Sequence, residues 1–345
     1  MSAQSDALAL PEALLAAYLE AHVDGFRGPL RATKFKGGQS NPTYLIEAAS
    51  GAYVLRRKPP GKLLPSAHAV DREFRVLAAL HATHALPVAQ PLHLCRDDGV
   101  IGSMFYVMQF VPGRIFWDPA LPDVDAGERG AFFDAAVDAL VALARFDPAA
   151  AGLGDYGKPG NYFARQVTRW TEQYRAAETQ TLASMETLIT WLPQAVPADD
   201  GCIALVHGDF RIDNLIWDAQ APRLAAVVDW ELSTLGHPFA DIAYFCMALR
   251  LPRNPILPGL AGLDRAAQGI PAEDALLDRF AAASGHDPRP HWNFLLAFQF
   301  FRLAAIAQGV LKRALQGNAS SEQAMKAGAM AQVIAELGAK VARAS

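Results

Sequence analysis

The sequence predicts an α+β protein with two lobes, in which a small lobe built on antiparallel β-sheet precedes a large, mainly helical lobe. Short β-type runs separated by glycine- and serine-rich turns occupy much of the chain between Leu30 and Phe110. A break at Pro112-Gly113 follows, and most of the remaining pattern is helical. The length of 345 residues suits about two domains at roughly 100 to 200 residues each. We therefore expect the lobes to comprise residues 1–111 and 112–345.

The first lobe is predicted to contain two helices and several strands. A helix over residues 8–23 is amphipathic, because Leu14, Leu15 and Leu19 fall on one side. A second helix is expected over residues 69–80. The β-type runs cover residues 43–47, 53–56, 89–95 and 104–110, with turns at Gly37-Gly38, Ser50-Gly51 and Asp97-Asp98-Gly99.

The second lobe is predicted to be helical apart from one polar loop between two short apolar strands. The expected helices cover residues 126–146, 162–192, 274–284, 292–316 and 322–344. The expected strands are 203–206 and 224–228, and the second can return beside the first as a hairpin. Such a hairpin would bring the polar loop and the end of the second strand together.

Composition and charge exclude several classes of protein. Hydrophobic residues make up 52% of the chain and charged residues 19%, which excludes intrinsic disorder. A net charge of −4 and a pI near 6.1 do not suit a general binder of nucleic acid or of membrane surfaces. The three cysteines, Cys95, Cys202 and Cys246, are far apart and form neither a zinc pattern nor a disulfide framework. A reducing cytoplasm is the simplest setting.

We expect a soluble protein. The N-terminal segment has no basic leader before its apolar residues and does not match a signal peptide. The most apolar long stretch, residues 292–311, is interrupted by polar residues that include Asn293, Gln299 and Arg302. This pattern is typical of a buried helix rather than a membrane span. The expected partner is a small molecule, without nucleic acid or membrane, and the oligomeric state is left open.

The residues that carry chemistry lie between Leu205 and Glu231. Asp209 and Asn214 occupy the polar loop after the first apolar strand, and Asp229 ends the second. Two carboxylates and an amide oxygen are hard ligands of the kind Mg²⁺ requires, and a carboxylate can also accept a proton from a hydroxyl. Each residue alone could equally be a loop cap, but the spacing of the set favours a site.

His207-Gly208-Asp209 through Asn214, with Asp229 downstream, resembles the catalytic and metal-binding loops of the aminoglycoside-phosphotransferase-type, protein-kinase-like enzymes. The resemblance covers most of the chain and implies a two-lobed protein-kinase-like fold that uses ATP and Mg²⁺. It implies that Asp209 orients or deprotonates the acceptor hydroxyl, and that Asn214 and Asp229 hold Mg²⁺. Arg211 stands where protein kinases have a lysine near the transferred phosphoryl group, although it could equally pack over the loop.

The segment Phe35–Tyr44 is similar to the family's nucleotide loop, although it lacks the G-x-G-x-x-G of protein kinases. Gly37 and Gly38 would let the backbone approach the phosphates, and Ser40 and Asn41 would add hydrogen-bond donors. Most Gly-Gly pairs are merely hairpin turns, so this signal is weak by itself.

Arg56 stands where the family usually has its phosphate-binding lysine. Arginine keeps the positive charge and binds phosphate bidentately, so the electrostatic role is retained. Alternation along the strand should aim only one of Arg56 and Arg57 at the cleft. Glu73 matches the family's glutamate that pairs with this cation, although a solvated charge on a helix face would give the same pattern.

The run Tyr106–Gly113 is similar to the family's hinge strand. Backbone groups of Gln109 and Val111 would then bind the adenine edge, with Met108 behind the pocket. An edge strand that ends at a Pro-Gly break would show the same pattern without any nucleotide.

Three competing interpretations are weaker. Gly152–Gly157 is a literal G-x-G-x-x-G, but it follows a helix rather than a strand, which disfavours a dinucleotide site. His81 and His84 have i, i+3 spacing without an evident third ligand, so surface histidines are expected. A catalytically silent pseudokinase that binds nucleotide or a partner remains open, because Arg56 replaces the usual lysine.

The sequence indicates a substrate class less directly. The segments V-L-R-R-K-P-P-G and H-G-D-F-R-I-D-N-L-I-W resemble the kinase-like portion fused to acyl-CoA dehydrogenases in some longer proteins. We find no flavoenzyme segment and expect neither flavin nor dehydrogenase activity. Residues 286–345 contain seven basic and three acidic residues, which suits an anionic acceptor such as a hydroxyacyl-CoA better than a polycationic aminoglycoside. Alternatively, these cations face solvent or complement helix C-termini.

Overall fold

A computed structural model describes residues 9–35, 41–59, 69–254, 257–316 and 322–344. The helices are α1 Glu12–His22, α2 Val70–Thr83, α3 Asp98–Ile101, α4 Ala126–Arg145, α5 Tyr162–Ala177, α6 Ala183–Ala195, α7 Phe239–Met247, α8 Glu273–Ser284, α9 Trp292–Leu315 and α10 Glu322–Arg343. The strands are β1 Leu30–Lys34, β2 Thr43–Ala48, β3 Gly51–Arg57, β4 Pro91–Cys95, β5 Phe105–Gln109, β6 Ala204–Val206, β7 Leu215–Trp217, β8 Leu224–Val227 and β9 Thr234–Gly236. Short 3₁₀ turns cover Ile212–Asn214, Trp230–Leu232 and Arg289–His291.

The chain forms two compact units, each assembled from three segments. The first unit comprises Met1–Arg114, Ala149–Tyr156 and Leu215–Ser233. The second comprises Ile115–Pro148, Gly157–Asn214 and Thr234–Ser345. The predicted α+β fold with a small antiparallel sheet and a large helical part is confirmed.

The first unit is built on a five-stranded antiparallel sheet of order β1-β2-β3-β5-β4. Side chains alternate between the two faces of β3, because successive residues of a strand point to opposite sides. The core combines α1 with the sheet and includes Leu15, Leu19, Ile46 and Phe105, all fully buried. The 3₁₀ turn Trp230–Leu232 packs against α2, so the end of β8 is held beside that helix.

The second unit packs its helices around α9, which contacts α5, α6, α7 and α10. By length and composition, the segment Arg289–Leu315 could cross a membrane, but 72% of its apolar window is buried inside the protein. It is a core helix, as its interrupting polar residues predict. A two-stranded sheet of β6 and β9 lies next to α4 and carries the candidate catalytic loop at its end.

Two sequence predictions were wrong in detail, and one helix was missed. The strands at 203–206 and 224–228 do not form a hairpin: β6 pairs with β9, and β8 pairs with β7. Both partner strands are only three residues long, too short for a period-two pattern to reveal. The helix expected over 162–192 is two helices, α5 and α6, separated by a stretch with two β-branched threonines, Thr179 and Thr181. Helix α7 was missed because all nine of its residues are buried and no polar face marks it.

Candidate active site

The candidate catalytic loop, residues 207–214 and called the catalytic loop below, leaves the buried strand β6 within the second unit. The carboxylate of Asp241, in the first turn of α7, accepts the backbone N–H groups of His207 at 2.6 Å and Gly208 at 2.9 Å. Gly208 has φ +86°, a left-handed conformation that glycine adopts without steric cost. Burial raises the pKa of Asp241, while His207 and the two N–H donors oppose the rise. The buried carboxylate thus fixes the backbone immediately before Asp209.

Three neighbours orient the carboxylate of Asp209. The Tyr244 hydroxyl donates to Oδ1 at 2.7 Å, and Nδ2 of Asn214 donates to Oδ2 at 3.1 Å. The Arg211 Nε lies 3.6 Å from Oδ1. Burial would raise the pKa of Asp209, but the Arg211 charge and the Tyr244 hydrogen bond outweigh it, so the pKa lies below its ordinary value. Asp209 is therefore an ionised, oriented acceptor at neutral pH.

Asn214 is held by its amide nitrogen. In addition to the bond to the Asp209 side chain, Nδ2 donates to the Asp209 carbonyl at 2.8 Å. Because both contacts use the nitrogen, they assign the amide oxygen to the opposite side, where it can serve as a ligand for a hard cation. The same amide therefore couples the predicted metal ligand to the predicted base.

Arg302, on α9, contacts the catalytic loop. The sequence indicated it only as one of the basic residues in 286–345 and gave it no role in the site. Its Nη2 donates to the Gly208 carbonyl at 2.5 Å. Its guanidinium carbon lies 5.5 Å from the ring centroid of Trp170 and 5.1 Å from that of Tyr244. These are cation–π distances, and they place a fixed positive charge beside the catalytic loop.

Arg211 contacts two carboxylates of its own loop. Its Nη2 lies 2.6 Å from Oδ2 of Asp213, in addition to the longer approach to Asp209. The side chain is 41% exposed, and its contacts within the loop agree with packing over the loop as well as with a role near the transferred group, which stays a prediction.

Arg56 lies at the centre of a carboxylate cluster in the first unit. Its Nε is 3.0 Å from Oε2 of Glu73, and its Nη2 is 2.7 Å from Oδ1 of Asp229 and 3.1 Å from Oε2 of Glu231. Burial opposes the charge, but the carboxylates outweigh it and raise the pKa of Arg56. Arg57 points to the other face, where Nε donates to Oγ of Ser103 at 2.9 Å. Alternation therefore selects Arg56, and Glu231 is a member of the cluster that the sequence did not single out.

Glu73 is a buried carboxylate with several donors. Besides Arg56, it accepts the Tyr106 hydroxyl at 2.9 Å and Nδ2 of Asn41 at 2.9 Å. Burial raises the pKa of Glu73 to about 7, against the opposing effect of Arg56. Asn41 is fully buried, and its Nδ2 also lies 3.4 Å from Glu231. Its amide nitrogen is thus engaged with carboxylates, and its role as a phosphate donor stays a prediction.

Asp229 has φ +67°, a left-handed conformation that is uncommon outside glycine and costs of order 1–3 kcal/mol. The next residue, Trp230, is buried and donates from Nε1 to the Val227 carbonyl at 3.0 Å. This contact anchors the turn on the far side of Asp229. The strained backbone thereby directs the Asp229 carboxylate towards Arg56.

The structure describes only some of the residues that are predicted to bind nucleotide. Gly37, Gly38 and Ser40 lie outside the described residues. Met108 is half-buried on β5, and the N–H of Gln109 donates to the Gln90 carbonyl at 2.9 Å. That N–H is therefore not available to an adenine. The roles of Met108, the Gln109 carbonyl and Val111 stay predictions.

A cavity of about 280 Å³ lies in the second unit beside the catalytic loop. Tyr244 and Arg211 line it, together with Asp213, whose carboxylate is paired with Arg211. The rest of the wall is almost entirely apolar and includes Trp117, Phe133, Phe210, Met247, Leu249, Leu251, Leu260 and Leu303. Tyr244, one of the lining residues, also donates to the carboxylate of Asp209.

The competing motifs have structural explanations. Residues 152–157 form a series of turns after α4, with no strand leading into them in the described chain, so the G-x-G-x-x-G there is not a dinucleotide loop. His81 and His84 lie at the end of α2 and belong to no group of three ligand-type side chains among the described residues.

A model of the phosphotransferase enzyme family matches residues 31–263, which span both the Arg56 cluster and the catalytic loop. The chain belongs to the phosphotransferase enzyme family. Acyl-CoA dehydrogenase family member 10 of Mus musculus is 46% identical over 332 residues, covering 96% of this chain and 31% of that protein. The chain thus spans about a third of the length of that relative.

Solved structures give the same fold. A protein from Ralstonia eutropha, provisionally named an aminoglycoside phosphotransferase, matches with a TM-score of 0.88 and 44% identity, over 97% of this chain and 99% of that one. Aminoglycoside phosphotransferase APH(4)-Ia, solved with ADP and hygromycin B, matches with a TM-score of 0.63 and 15% identity, over 96% and 98% of the two chains. The second likeness shows the fold alone. The phosphotransferase family member therefore has the kinase-like architecture that its motifs predict.

Proposed function

We propose that this phosphotransferase transfers the γ-phosphoryl group of Mg-ATP to the hydroxyl of a small, anionic molecule in the cytoplasm. The observation that carries the proposal is the state of Asp209, whose carboxylate is held ionised and oriented by Tyr244, Asn214 and Arg211. Asp209 would accept the hydroxyl proton or aim the hydroxyl at the phosphorus.

The donor chemistry fits Mg²⁺, which prefers carboxylate and amide oxygens completed by water and phosphate. We propose Asn214 and Asp229 as its protein ligands, which rests on the family spacing together with the orientation of the Asn214 amide. When bound, Mg²⁺ would neutralise charge on the β- and γ-phosphates. Arg56, positioned by Glu73, would bind the α- and β-phosphates, and Arg211 would neutralise charge near the transferred group.

The apolar cavity supports an acceptor with an acyl chain. Its lining offers aliphatic and aromatic side chains, and its one carboxylate, Asp213, is already paired with Arg211. An aminoglycoside is a polycation and would need unpaired carboxylates there. Arg302 places a positive charge beside the catalytic loop, which favours an anionic acceptor instead. We therefore propose a hydroxyacyl-CoA, which also agrees with the name of the murine relative.

The excess of basic residues in 286–345 supports this proposal less than the cavity does. Arg289 is paired with Asp278 and Asp287, and Lys312 donates to the Ala176 carbonyl at the end of α5. These contacts match the alternative interpretation, in which such cations complement acids and helix ends. Arg302 is the member of this group that contacts the catalytic loop in the described chain.

A thermal-shift screen followed by ATP-consumption assays tests the function. Mg-ATP should stabilise the protein and FAD should not, and Mg-GTP tests the choice of nucleotide. Hydroxyacyl-CoAs with the hydroxyl at different positions should consume ATP faster than kanamycin-type acceptors. Efficient phosphorylation of kanamycin, with none of any hydroxyacyl-CoA, would overturn the acceptor class and leave the phosphotransferase. Nucleotide protection without turnover of any acceptor would favour a pseudokinase.

A further inference from the structure

Three side chains with metal-binding chemistry meet in the second unit, outside the candidate active site. Asp200 and Cys202 lie in the loop between α6 and β6, and His237 follows β9 directly. One ligand atom from each residue lies within 4.8 Å of the other two. The His237 Nε2 is 3.3 Å from the carboxylate oxygens of Asp200.

Strand pairing produces this arrangement. In the β6–β9 pair, Ala204 is opposite Gly236, so the residues just before β6 lie beside those just after β9. Oδ1 of Asp200 accepts the N–H of Cys202 at 2.9 Å, a local turn that brings the carboxylate and the thiol to one side. Because Cys202 and His237 are 35 positions apart, no sequence spacing indicated the group.

The cluster adjoins a second cavity of about 190 Å³. Asp200 and His237 line it, and so do Asp199, Asp287 and His291. The His237 side chain is 11% exposed and that of Asp200 is 50% exposed, so the group is open on the carboxylate side and enclosed on the imidazole side. A cation could enter from solvent and meet a preformed nitrogen ligand.

We propose that Asp200, Cys202 and His237 bind Zn²⁺. Thiolate sulfur, imidazole nitrogen and carboxylate oxygen are the ligand types that zinc takes in proteins. Three protein ligands leave a fourth position, which the adjoining cavity allows water or a further side chain to fill. An ion pair between Asp200 and His237 alone would not require Cys202 beside it.

Binding of Zn²⁺ changes the protonation of two of the three ligands, Cys202 and His237. The Cys202 thiol loses its proton to solvent, because the thiolate is the ligand. Coordination by Nε2 of His237 moves the ring proton to Nδ1, which gives up a long hydrogen bond of 3.2 Å from the Phe239 N–H. No electron transfer is involved.

The site would join the two strands that support the catalytic loop. Cys202 lies two residues before β6, which runs into His207, and His237 lies two residues before α7, which carries Asp241. A metal bridge at this position would stabilise the β6–β9 pair without touching Asp209.

Cobalt spectroscopy on the untagged 345-residue chain without nucleotide tests the site. Co²⁺ should give a thiolate-to-metal charge-transfer band that saturates at one equivalent, and excess Zn²⁺ should remove it. At a hundredfold excess over its Kd, Zn²⁺ should raise the Tm by about 4 °C. Oxygen ligands at a magnesium site would give no such band, so the result is independent of the phosphotransferase proposal.

Cys202→Ser should abolish the band, whereas Cys95→Ala, which removes a buried cysteine of the first unit, should keep it. Asp200→Asn and His237→Gln should each weaken Co²⁺ binding at least about tenfold. Circular dichroism without metal checks that each variant is folded. Absence of the band in the wild-type protein, or its persistence in Cys202→Ser, would overturn the proposal.

Discussion

The hydroxyl of Tyr244 donates a 2.7 Å hydrogen bond to Oδ1 of Asp209. Tyr244 also lines the apolar cavity of the second unit, so one side chain contacts both the proposed base and the proposed acceptor pocket. Burial raises the pKa of Tyr244 well above its ordinary value, and the nearby Asp209 charge adds to the rise. The phenol therefore stays protonated and acts as a donor at neutral pH. The pair fixes the orientation of the base next to the pocket.

Tyr244→Phe should move the acidic limb of the kcat/KM profile to higher pH. The hydrogen bond favours the charged carboxylate, so its loss raises the pKa of Asp209 from its depressed value. Asp209 would then become protonated, and lose its function as a base, at a higher pH than in the wild-type protein. At neutral pH we expect about a ten- to hundredfold loss of kcat/KM, from a bond to a charged group worth about 1.5–3 kcal/mol. Tyr156→Phe removes a buried hydroxyl bound to Ser233 and should leave the limb in place; equal shifts in both variants would contradict the role of Tyr244.

Asp229→Asn should abolish Mg²⁺-dependent stabilisation by ATP. The substitution removes the carboxylate charge from the proposed metal site and one of the anions beside Arg56. Thermal shifts with ATP, with and without Mg²⁺, measure the effect. Asp218→Asn is the matched control, because Asp218 is another loop carboxylate of the first unit, paired with Arg223. Full protection of Asp229→Asn by Mg-ATP would place the metal elsewhere.

Glu73→Gln should change the pH dependence of stability. Because the pKa of Glu73 is raised to about 7 in the folded protein, its stabilising contribution is complete below the unfolded pKa and is lost as the pH rises through about 7. The variant lacks this titration. The unfolding free energy of wild type minus that of Glu73→Gln should therefore decrease from pH 5 to pH 8. Urea unfolding at pH 5 and pH 8 measures this difference. If the difference instead increases with pH, the Arg56 charge holds the pKa of Glu73 below its value in the unfolded chain.

Trp117→Ala tests the acceptor pocket with little risk to the fold, because the indole is 70% exposed while it lines the cavity. Loss of one to two kcal/mol of apolar contact should raise KM for a hydroxyacyl-CoA about five- to thirtyfold and leave KM for ATP unchanged. Ile203→Ala, an exposed apolar residue of the same unit that does not line the cavity, is the control. An unchanged acceptor KM would place the acyl chain outside this cavity.

Local patterns predicted the two-part fold and the residues of the catalytic loop. Arg56 and Glu73 were identified by resemblance, and strand alternation separated Arg56 from Arg57. What could not be predicted depends on contacts between distant positions. Tyr244 reaches Asp209 from a helix with no polar face, and Arg302 reaches Gly208 across 94 positions. An aspartate inside an otherwise apolar run, Asp241, was the one local signal of that helix.

Phosphoryl transfer by wild type and Asp209→Asn gives the most direct test of the proposed mechanism. A ³¹P NMR or radiolabel assay would follow formation of the phosphorylated hydroxyacyl product at saturating Mg-ATP, with thermal shifts reporting nucleotide binding in parallel. Asp209→Asn should bind Mg-ATP as wild type does and transfer about 10² to 10⁴ times more slowly, the usual range for loss of a general base. Transfer by Asp209→Asn at the wild-type rate would remove Asp209 from the mechanism.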